Sequence, residues 1–433
     1  MNKRDFIYIV PGLGASLWLA GCANDPVTGK KSFVMMGKEQ EVALDRQHSP
    51  HQFSEDYGVV QDAGVNRYVA DVGSRLAASS HRADMPYRFQ AVNANNVNAY
   101  AFPGGSIAAT RGIMVEMESE DQLAGLLGHE IGHVNARHFA ERQAKGTLVE
   151  LLSATATVVA GSKNAQYGEL AQMVGSLGGG ALLAHYSRED EREADALGME
   201  YMNRAGYNPG GMADLMELLN NESRAKPNAL ELMFSTHPMS SERLANARQA
   251  MQTTYQESSR RPRQKERYMD NTARLRTLRP VIAAEQKGEA MFDQKRYDLA
   301  EGHLRQALNA APDDYPGLVL MAKTQMAMKR PQEAQPYLAR AKSVYPSEAQ
   351  ASQLIGVTHL QLRQPDRALA AFQEYDRLLP GNPGITFLKG FSLDQMQNRQ
   401  AAAQEYNRYL QMTRQGNQAQ YAYNRLKGWG YVR

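Results

Sequence analysis

Apolar residues recur at helical spacing through most of the first 255 residues, and two short stretches are instead typical of strands. The clearest helix has its apolar side chains three and four positions apart, at Leu123, Leu126, Leu127, Ile131 and Val134. Ser119 can cap this helix, with Gln122 completing a capping box. The extended stretches are Tyr87–Val92 and Ala99–Thr110, the second containing the turn Pro103-Gly104-Gly105. The pattern predicts an α+β domain over 22–255, mostly helical with a small sheet.

Two further stretches, Thr147–Gly161 and Leu170–Ala184, are apolar and rich in glycine and alanine. Both are shorter than the ~20 residues that span a bilayer. We predict core helices there, and a mobile cover over a cleft is the alternative interpretation.

The last third of the chain repeats with a period of 34 residues. Each unit has a small residue followed four positions later by a large one: Ala300 and Leu304, Ala334 and Leu338, Ala368 and Phe372, Ala402 and Tyr406. The same period relates Gly288, Ala322, Gly356 and Gly390, and also Pro312, Pro346 and Pro380. Small residues at a helix crossing and a proline after the second helix resemble the tetratricopeptide repeat. We predict an all-α solenoid of four units over 281–416, with a capping helix in 417–433.

A basic segment, 256–280, connects the two predicted domains. Its eight basic residues are Arg260, Arg261, Arg263, Lys265, Arg267, Arg274, Arg276 and Arg279. A solvated linker and helix is expected, and a docking patch for an acidic partner or a lipid headgroup is the alternative.

The N-terminus is typical of an exported protein. Lys3 and Arg4 precede an apolar stretch that ends in Leu19-Ala20-Gly21-Cys22. This resembles the bacterial lipoprotein signal, which implies removal of residues 1–21 and a lipid on Cys22. Ala23 follows the cysteine, which favours anchoring at the outer membrane, facing the periplasm. A plain signal peptide with an incidental cysteine is the alternative.

Composition adds only exclusions. The chain has 433 residues, a net charge of +3 from 49 basic and 46 acidic residues, and Cys22 as its single cysteine. At about 100–200 residues per domain, two or three domains are expected. The balanced charge excludes a polybasic nucleic-acid-binding protein and an acidic disordered chain. The lone cysteine suits an oxidising compartment, because no disulfide can form incorrectly within the chain.

The central chemical signal is His129-Glu130-Ile131-Gly132-His133. Residues four apart share one helix face, about 6 Å apart, so His129 and His133 can bind the same zinc ion. Glu130 is offset by about 100° and can reach a water at the metal.

A catalytic zinc needs a third protein ligand. The best candidate lies in the acidic run 187–195, where Glu191 and Asp195 share a helix face and Ala194 lets another helix approach. Glu191 can bind zinc while Asp195 accepts the outer N–H of a zinc histidine. Glu193 is the alternative ligand, and a solvated charged helix is the alternative structure.

Together, His-Glu-x-x-His and Glu-x-x-Ala-Asp resemble the metallopeptidase family of CAAX prenyl protease and HtpX. Residues 98–105 resemble the edge-strand motif of that family, and Thr236-His237-Pro238 with Arg243 also matches it. This chain lacks the transmembrane helices of those two members and resembles the periplasmic members instead. Its lipoprotein signal departs from the repeat-bearing periplasmic members, which are typically soluble.

The resemblance implies one zinc per chain, with His129, His133 and Glu191 as ligands and Glu130 as the catalytic glutamate. It also implies that His237 can occupy the open position of the zinc and keep the enzyme latent. His81, His138 and His185 match no motif, and we expect structural or surface roles for them.

A substrate peptide is expected to pair with the edge strand, where the candidate contacts are Tyr100, Ala101, Phe102, Gly104 and Gly105. The expected function is zinc-dependent cleavage of misassembled outer-membrane β-barrel proteins, with the repeats contacting their assembly machinery. The alternatives are a repeat-based scaffold with a latent protease and a structural metal protein without turnover. No nucleic-acid partner is expected.

Overall fold

The computed structural model describes residues 36–144, 186–225 and 227–432, together with residues 22–24, 26, 27, 29 and 31–33. The signal 1–21 and the two apolar stretches predicted as core helices lie outside the described residues. Near the N-terminus, β1 (Cys22–Asn24) pairs with β2 (Lys31–Phe33) in an antiparallel ladder.

A three-stranded sheet and a set of helices form the first domain. The strands are β3 (Arg88–Val92), β4 (Ala99–Ala101) and β5 (Ser106–Thr110), in the order β3-β5-β4. β5 is parallel to β3 and antiparallel to β4, which makes β4 an edge strand. The described helices are α1 Lys38–Glu55, α2 Ala63–Ala77, α3 Arg111–Met114, α4 Glu120–Asn135, α5 His138–Ala144, α6 Arg188–Arg204, α7 Gly210–Ala225, α8 Pro227–Thr236 and α9 Ser241–Gln252.

Helix α4 is the centre of this domain. Ser119 caps it, and the Gln122 side chain completes the predicted capping box. Every residue of α4 is buried, because α2, α6, α7 and the sheet surround it. Its closest neighbour is α6. A Cβ atom at Gly132 would lie 2.8 Å from the carbonyl oxygen of Ala194, so the two backbones are in direct contact.

The basic segment is less solvated than expected. After a 3-10 turn at Ser258–Arg260 it forms α10 (Lys265–Arg276), which buries Tyr268, Thr272 and Leu275 against the first domain. Five of its basic side chains bond to that domain: Arg261, Arg263, Arg267, Arg276 and Arg279. Its charge is therefore largely used within the chain, which weakens the docking-patch alternative.

Four helix pairs and a final helix follow, as in tetratricopeptide repeats, and they confirm the predicted fold class. They are α11 Arg279–Asp293, α12 Tyr297–Ala310, α13 Tyr315–Ala327, α14 Pro331–Val344, α15 Gln350–Gln361, α16 Pro365–Leu378, α17 Pro383–Gln395, α18 Arg399–Met412 and α19 Asn417–Gly428. The small residues lie at the crossings. A Cβ atom at Gly356 would overlap the Phe372 ring of the paired helix, and Gly390 faces Tyr406 in the same way.

The first domain contacts the repeats through residues 54–61, which we call the joint segment. Tyr57 donates a hydrogen bond to Glu289 on α11 (3.0 Å), and its ring lies 5.1 Å from the Nζ atom of Lys323 on α13. Ser54 bonds to Glu348, just before α15. The first helices of three consecutive units, or the residues leading into them, therefore contact one short piece of the first domain.

The joint segment is also bonded to the sheet. The Val60 amide donates to Ala91 on β3 (2.8 Å), and Val59 forms a β-bridge with Val92. Asp56 accepts a hydrogen bond from the hydroxyl of Tyr100 on β4. Burial raises the pKa of Asp56 to about 6. The segment thus connects both edges of the sheet to the repeats.

A buried ion cluster gives a second connection between the domains. Arg111 on α3 bonds to Asp314 (2.7 and 3.0 Å) and to Glu285 on α11, and it also donates to Asn95. Its guanidinium is almost fully buried and is the sole basic group in this described cluster. Removing one member of such a cluster leaves an uncompensated buried charge, which costs about 3–5 kcal/mol.

Among the described helices, none combines the length and the apolar character that a bilayer crossing requires.

Candidate metal centre

Four buried side chains meet between α4, α6 and the residue after α8. His129 and His133 come from α4, Glu191 from α6, and His237 follows α8. Their ligand atoms all lie within 4.8 Å of one another. The structure therefore brings together the three predicted ligands and the predicted regulatory histidine.

The distances within the cluster fit a small tetrahedral cation. The Nε2 atoms of His129 and His133 are 3.0 Å apart, and they lie 3.5 and 3.3 Å from the Glu191 oxygens. The Nδ1 atom of His237 lies 3.0 Å from Glu191 and 3.4 Å from His129. Bonds of about 2.0–2.1 Å to a central zinc place neighbouring ligands about 3.4 Å apart. The donor set thus suits zinc in both atom type and spacing.

The local charge also favours a cation. Burial lowers the pKa of His133 well below its usual value, so its imidazole is neutral and can act as a ligand. Burial opposes ionisation of Glu191, but the imidazoles of His237 and His129 outweigh it and lower the pKa of that carboxyl. Neutral imidazoles and a carboxylate are the forms that bind zinc.

Asp195 and Arg243 contact two members of the metal cluster, His129 and Glu191. Asp195 lies 2.9 Å from the Nδ1 atom of His129, in the predicted position to accept its outer N–H. Arg243 binds both oxygens of Asp195 (2.6 and 2.7 Å) and also contacts Glu191 (2.6 Å). Burial opposes ionisation of Asp195, but Arg243 overcomes it and lowers the pKa. This geometry suits Asp195 to orienting His129, and the sequence did not reveal that Arg243 contacts both carboxylates.

Glu130 lies beside the cluster without joining it. Its Oε1 atom is 3.9 Å from Nε2 of His237, and its Oε2 atom is buried without a hydrogen-bond partner among the described residues. Burial raises the pKa of this carboxyl. An unpaired carboxylate next to a metal site is suited to accept a proton.

Two residues near His133 were missed by sequence reasoning. His138, expected to be structural or at the surface, is buried with its Nδ1 atom 2.9 Å from Nδ1 of His133. The Tyr186 ring stacks on His133 at 3.8 Å. Glu193, the alternative ligand, lies outside the cluster and contacts His138 at 3.3 Å. His81 has the expected structural role, with a hydrogen bond to Tyr201, and His185 lies outside the described residues.

The predicted substrate contacts divide into two groups. The side chains of Tyr100 and Phe102 are buried against Phe53, and the backbone of Phe102 bonds to β5. The alternation along β4 turns the backbone groups of Ala99 and Ala101 away from β5. Ala99 is fully buried and Ala101 is partly exposed, so of these two residues Ala101 is the one open to a peptide that adds to this edge.

The two glycines of the turn, Gly104 and Gly105, pack against the domain itself. A Cβ atom at Gly104 would lie 2.5 Å from that of Asp45, because α1 packs directly on the turn. Gly105 faces Tyr87 and has a φ of 101°, which favours glycine. Local packing and backbone conformation therefore explain why both positions are glycine. Cys22, the predicted lipidation site, lies in β1.

Comparisons with known proteins agree with this site. Residues 64–251 match Peptidase family M48, and residues 291–356 match the tetratricopeptide repeat. The first match contains all four residues of the metal cluster together with Glu130. The chain is thus similar to Peptidase family M48 over its first domain and carries repeats of the tetratricopeptide type after it.

Several curated proteins are similar to this chain. The β-barrel assembly-enhancing protease of Yersinia pestis is 25% identical over 389 residues, which cover 83% of this chain and 78% of that protein. A Vibrio cholerae protein provisionally given the same name is 29% identical over 288 residues, covering 59% and 58%. The metalloprotease LoiP of Escherichia coli is 30% identical over 167 residues, covering 38% and 63%. The chain spans less than two thirds of the length of the last two relatives.

We predict that the purified chain binds one zinc ion. His129→Ala, His133→Ala and Glu191→Ala should each lose it after dialysis, because each removes a ligand that the contact between α4 and α6 holds in place, and His237, which follows α8, cannot replace it. Elemental analysis against protein concentration measures the stoichiometry. Glu189→Ala, at an exposed position on α6, is the matched control and should retain zinc. Retention by Glu191→Ala together with loss by Glu193→Ala would show that the third ligand is misassigned.

Proposed function

We propose that this chain is a zinc-dependent endopeptidase of the periplasm, anchored to the outer membrane, that degrades misassembled outer-membrane proteins and assists their assembly. The observation that carries the proposal is the buried cluster of His129, His133 and Glu191 with the carboxyl group of Glu130 beside it, one oxygen of which has no hydrogen-bond partner among the described residues. The similarity to β-barrel assembly-enhancing proteases supports the substrate class.

The proposed chemistry divides between the metal and the protein. Zinc held by His129, His133 and Glu191 would supply Lewis acidity towards the peptide carbonyl and the attacking water. Glu130 accepts the proton of that water and then donates it to the leaving amine. Asp195 keeps His129 oriented, and Arg243 keeps Asp195 ionised.

Substrate selection follows from the edge strand. A peptide that pairs with the backbone of the edge strand β4 at Ala101 is held mainly through main-chain hydrogen bonds, which carry little sequence preference. Such binding needs an extended, unpaired segment. An outer-membrane β-barrel protein that has not closed its barrel exposes segments of this kind.

A mainly non-proteolytic role is the second candidate, and the position of His237 favours it. With its Nδ1 atom inside the ligand set, His237 would be a fourth ligand of a zinc held by His129, His133 and Glu191. A catalytic zinc needs one open position, so a zinc bound in this way would be in a resting state. In that state the repeats would act as a scaffold while the protease is latent.

The proposed location rests on Cys22 and the preceding Leu19-Ala20-Gly21. A lipid on Cys22 would hold the metallopeptidase domain beside the membrane that receives its substrates. The partners proposed for the repeats are components of the outer-membrane assembly machinery.

Glu130→Gln should retain zinc and lose hydrolysis of an unfolded substrate such as casein by about 100-fold or more, since the amide cannot accept the proton. Gel-based cleavage assays and elemental analysis measure the two properties. Glu189→Gln, at an exposed glutamate on α6, is the matched control.

Crosslinking of the Glu130→Gln chain in cells should trap outer-membrane β-barrel proteins. Full activity of Glu130→Gln, or a trapped set without such proteins, would contradict the proposal.

His237→Ala should raise hydrolysis and self-cleavage. An open state populated at about 1–10% in the wild type predicts an increase of about 10–100-fold. Zinc should remain, because three ligands suffice at a catalytic site. The double variant His237→Ala/Glu130→Gln is the control and should be inactive. Lost activity with the metal intact would instead assign His237 to stabilisation of the tetrahedral intermediate.

Cys22→Ser should abolish labelling by a radioactive or clickable fatty acid and release the chain from the membrane fraction. The serine cannot form the thioether that carries the lipid. Immunoblots of membrane and soluble fractions provide the measurement, with wild type as the reference. Wild-type protein found wholly in the soluble periplasm would contradict the anchored location.

A further inference from the structure

The two zinc-site histidines on α4 are oriented by different partners. In both, Nε2 points into the cluster and Nδ1 points away. The Nδ1 atom of His129 faces a carboxylate, Asp195. The Nδ1 atom of His133 faces another imidazole, His138, at 2.9 Å. We propose that His138 is a positioning residue that fixes the tautomer of His133 for zinc binding.

The hydrogen positions follow from the chemistry of imidazole. A neutral imidazole carries one N–H, so a histidine that binds metal through Nε2 carries its hydrogen on Nδ1. His133 then donates from Nδ1, and Nδ1 of His138 accepts. The hydrogen of His138 therefore lies on Nε2, which is 3.3 Å from the carboxylate of Glu193. The result is a chain of two hydrogen bonds, in which His133 donates to His138 and His138 donates to Glu193.

The reverse arrangement would oppose metal binding. If His138 donated from Nδ1, His133 would carry its hydrogen on Nε2, which points at Nε2 of His129 only 3.0 Å away. That form satisfies the two histidines without a metal. Glu193 disfavours this form. Its carboxylate can accept a hydrogen bond from Nε2 of His138 only when His138 carries its hydrogen there, and Nδ1 of the same neutral ring is then the acceptor.

The groups around His138 agree with this polarity. From α6, Asp190 lies 4.0 Å from Nε2 of His138, in addition to Glu193. From α5 itself, Arg142 lies 3.8 Å from Asp190 and above the Tyr186 ring. Two carboxylates thus face Nε2 of His138, the atom that carries the hydrogen in the proposed tautomer. The Tyr186 ring covers His133 from one face and limits its rotation.

The turn before α5 explains why His138 reaches His133. Arg137 takes a left-handed conformation, with φ of 58°, between the end of α4 and the start of α5. Its guanidinium bonds to Glu41 (2.9 Å) and to the carbonyl of Met36. The turn is therefore held by α1 and the residues before it, and it aims the first residue of α5 at the metal cluster.

The same run of α6 therefore supports both histidines. Asp195 contacts His129 directly, whereas Glu193 acts on His133 through His138. This gives Glu193 a function although it is not a ligand. Partners of this kind typically change metal affinity by about 10–100-fold.

The test is a zinc titration of the full-length chain in competition with a chromophoric chelator. His138→Ala should bind zinc about 10–100-fold more weakly than wild type. His138→Asn should recover most of the affinity, because its side-chain oxygen can accept the hydrogen bond from Nδ1 of His133. His81→Ala, which removes another partly buried histidine away from the metal, should bind zinc as the wild type does.

Melting of the metal-free proteins separates positioning from packing. The wild type, His138→Ala and His138→Asn should melt at similar temperatures without zinc and diverge when it is added. Equal zinc affinity of His138→Ala and wild type would overturn the inference, and so would equal weakening in both His138 variants. The inference rests on the proposed zinc site. A wild-type chain that binds no zinc would overturn that site as well, which is a distinguishable result.

Discussion

The direct contact between the backbones of α4 and α6 is the constraint on which the metal centre depends. Gly128 and Gly132 on α4 face Gly198 and Ala194 on α6, and a side chain at Gly132 would meet the carbonyl oxygen of Ala194. At this separation Glu191 reaches the Nε2 atoms of both histidines. A larger residue would move the helices apart, and a ligand set whose edges measure 3.0–3.5 Å does not tolerate such a shift.

The same packing creates an electrostatic problem. Glu130, Glu191 and Asp195 are buried together, and isolated buried carboxylates are strongly disfavoured. Arg243 offsets part of their charge through its contacts with Asp195 and Glu191. Two carboxylates against one guanidinium leave one negative charge, and Glu130 adds a second when ionised. A divalent cation would balance this charge, so the requirements of folding and of metal binding coincide.

The parts of this arrangement that could be predicted from sequence are those encoded within one helix. His129 and His133, like Glu191 and Asp195, lie four residues apart, and that spacing places each pair on one face. Ala194 indicated a close helix contact because its side chain is small. His138 could not be placed in this way, since a left-handed residue separates it from α4. The covering of Gly104 depends on Asp45, nearly sixty residues earlier, and no local pattern reports such contacts.

The joint segment connects the repeats to the first domain. Tyr57 belongs to the hydrophobic core of the repeats, while its neighbour Asp56 holds the hydroxyl of Tyr100 on the edge strand. The surface that such repeats commonly use for partners is thus partly occupied by the chain itself. A displacement of the first three units relative to residues 54–61 must break the bonds of Ser54 and Tyr57 to the repeats, on either side of the residue that holds Tyr100 on β4. The contacts with the repeats and the contact with the edge strand therefore come from adjacent residues of one segment.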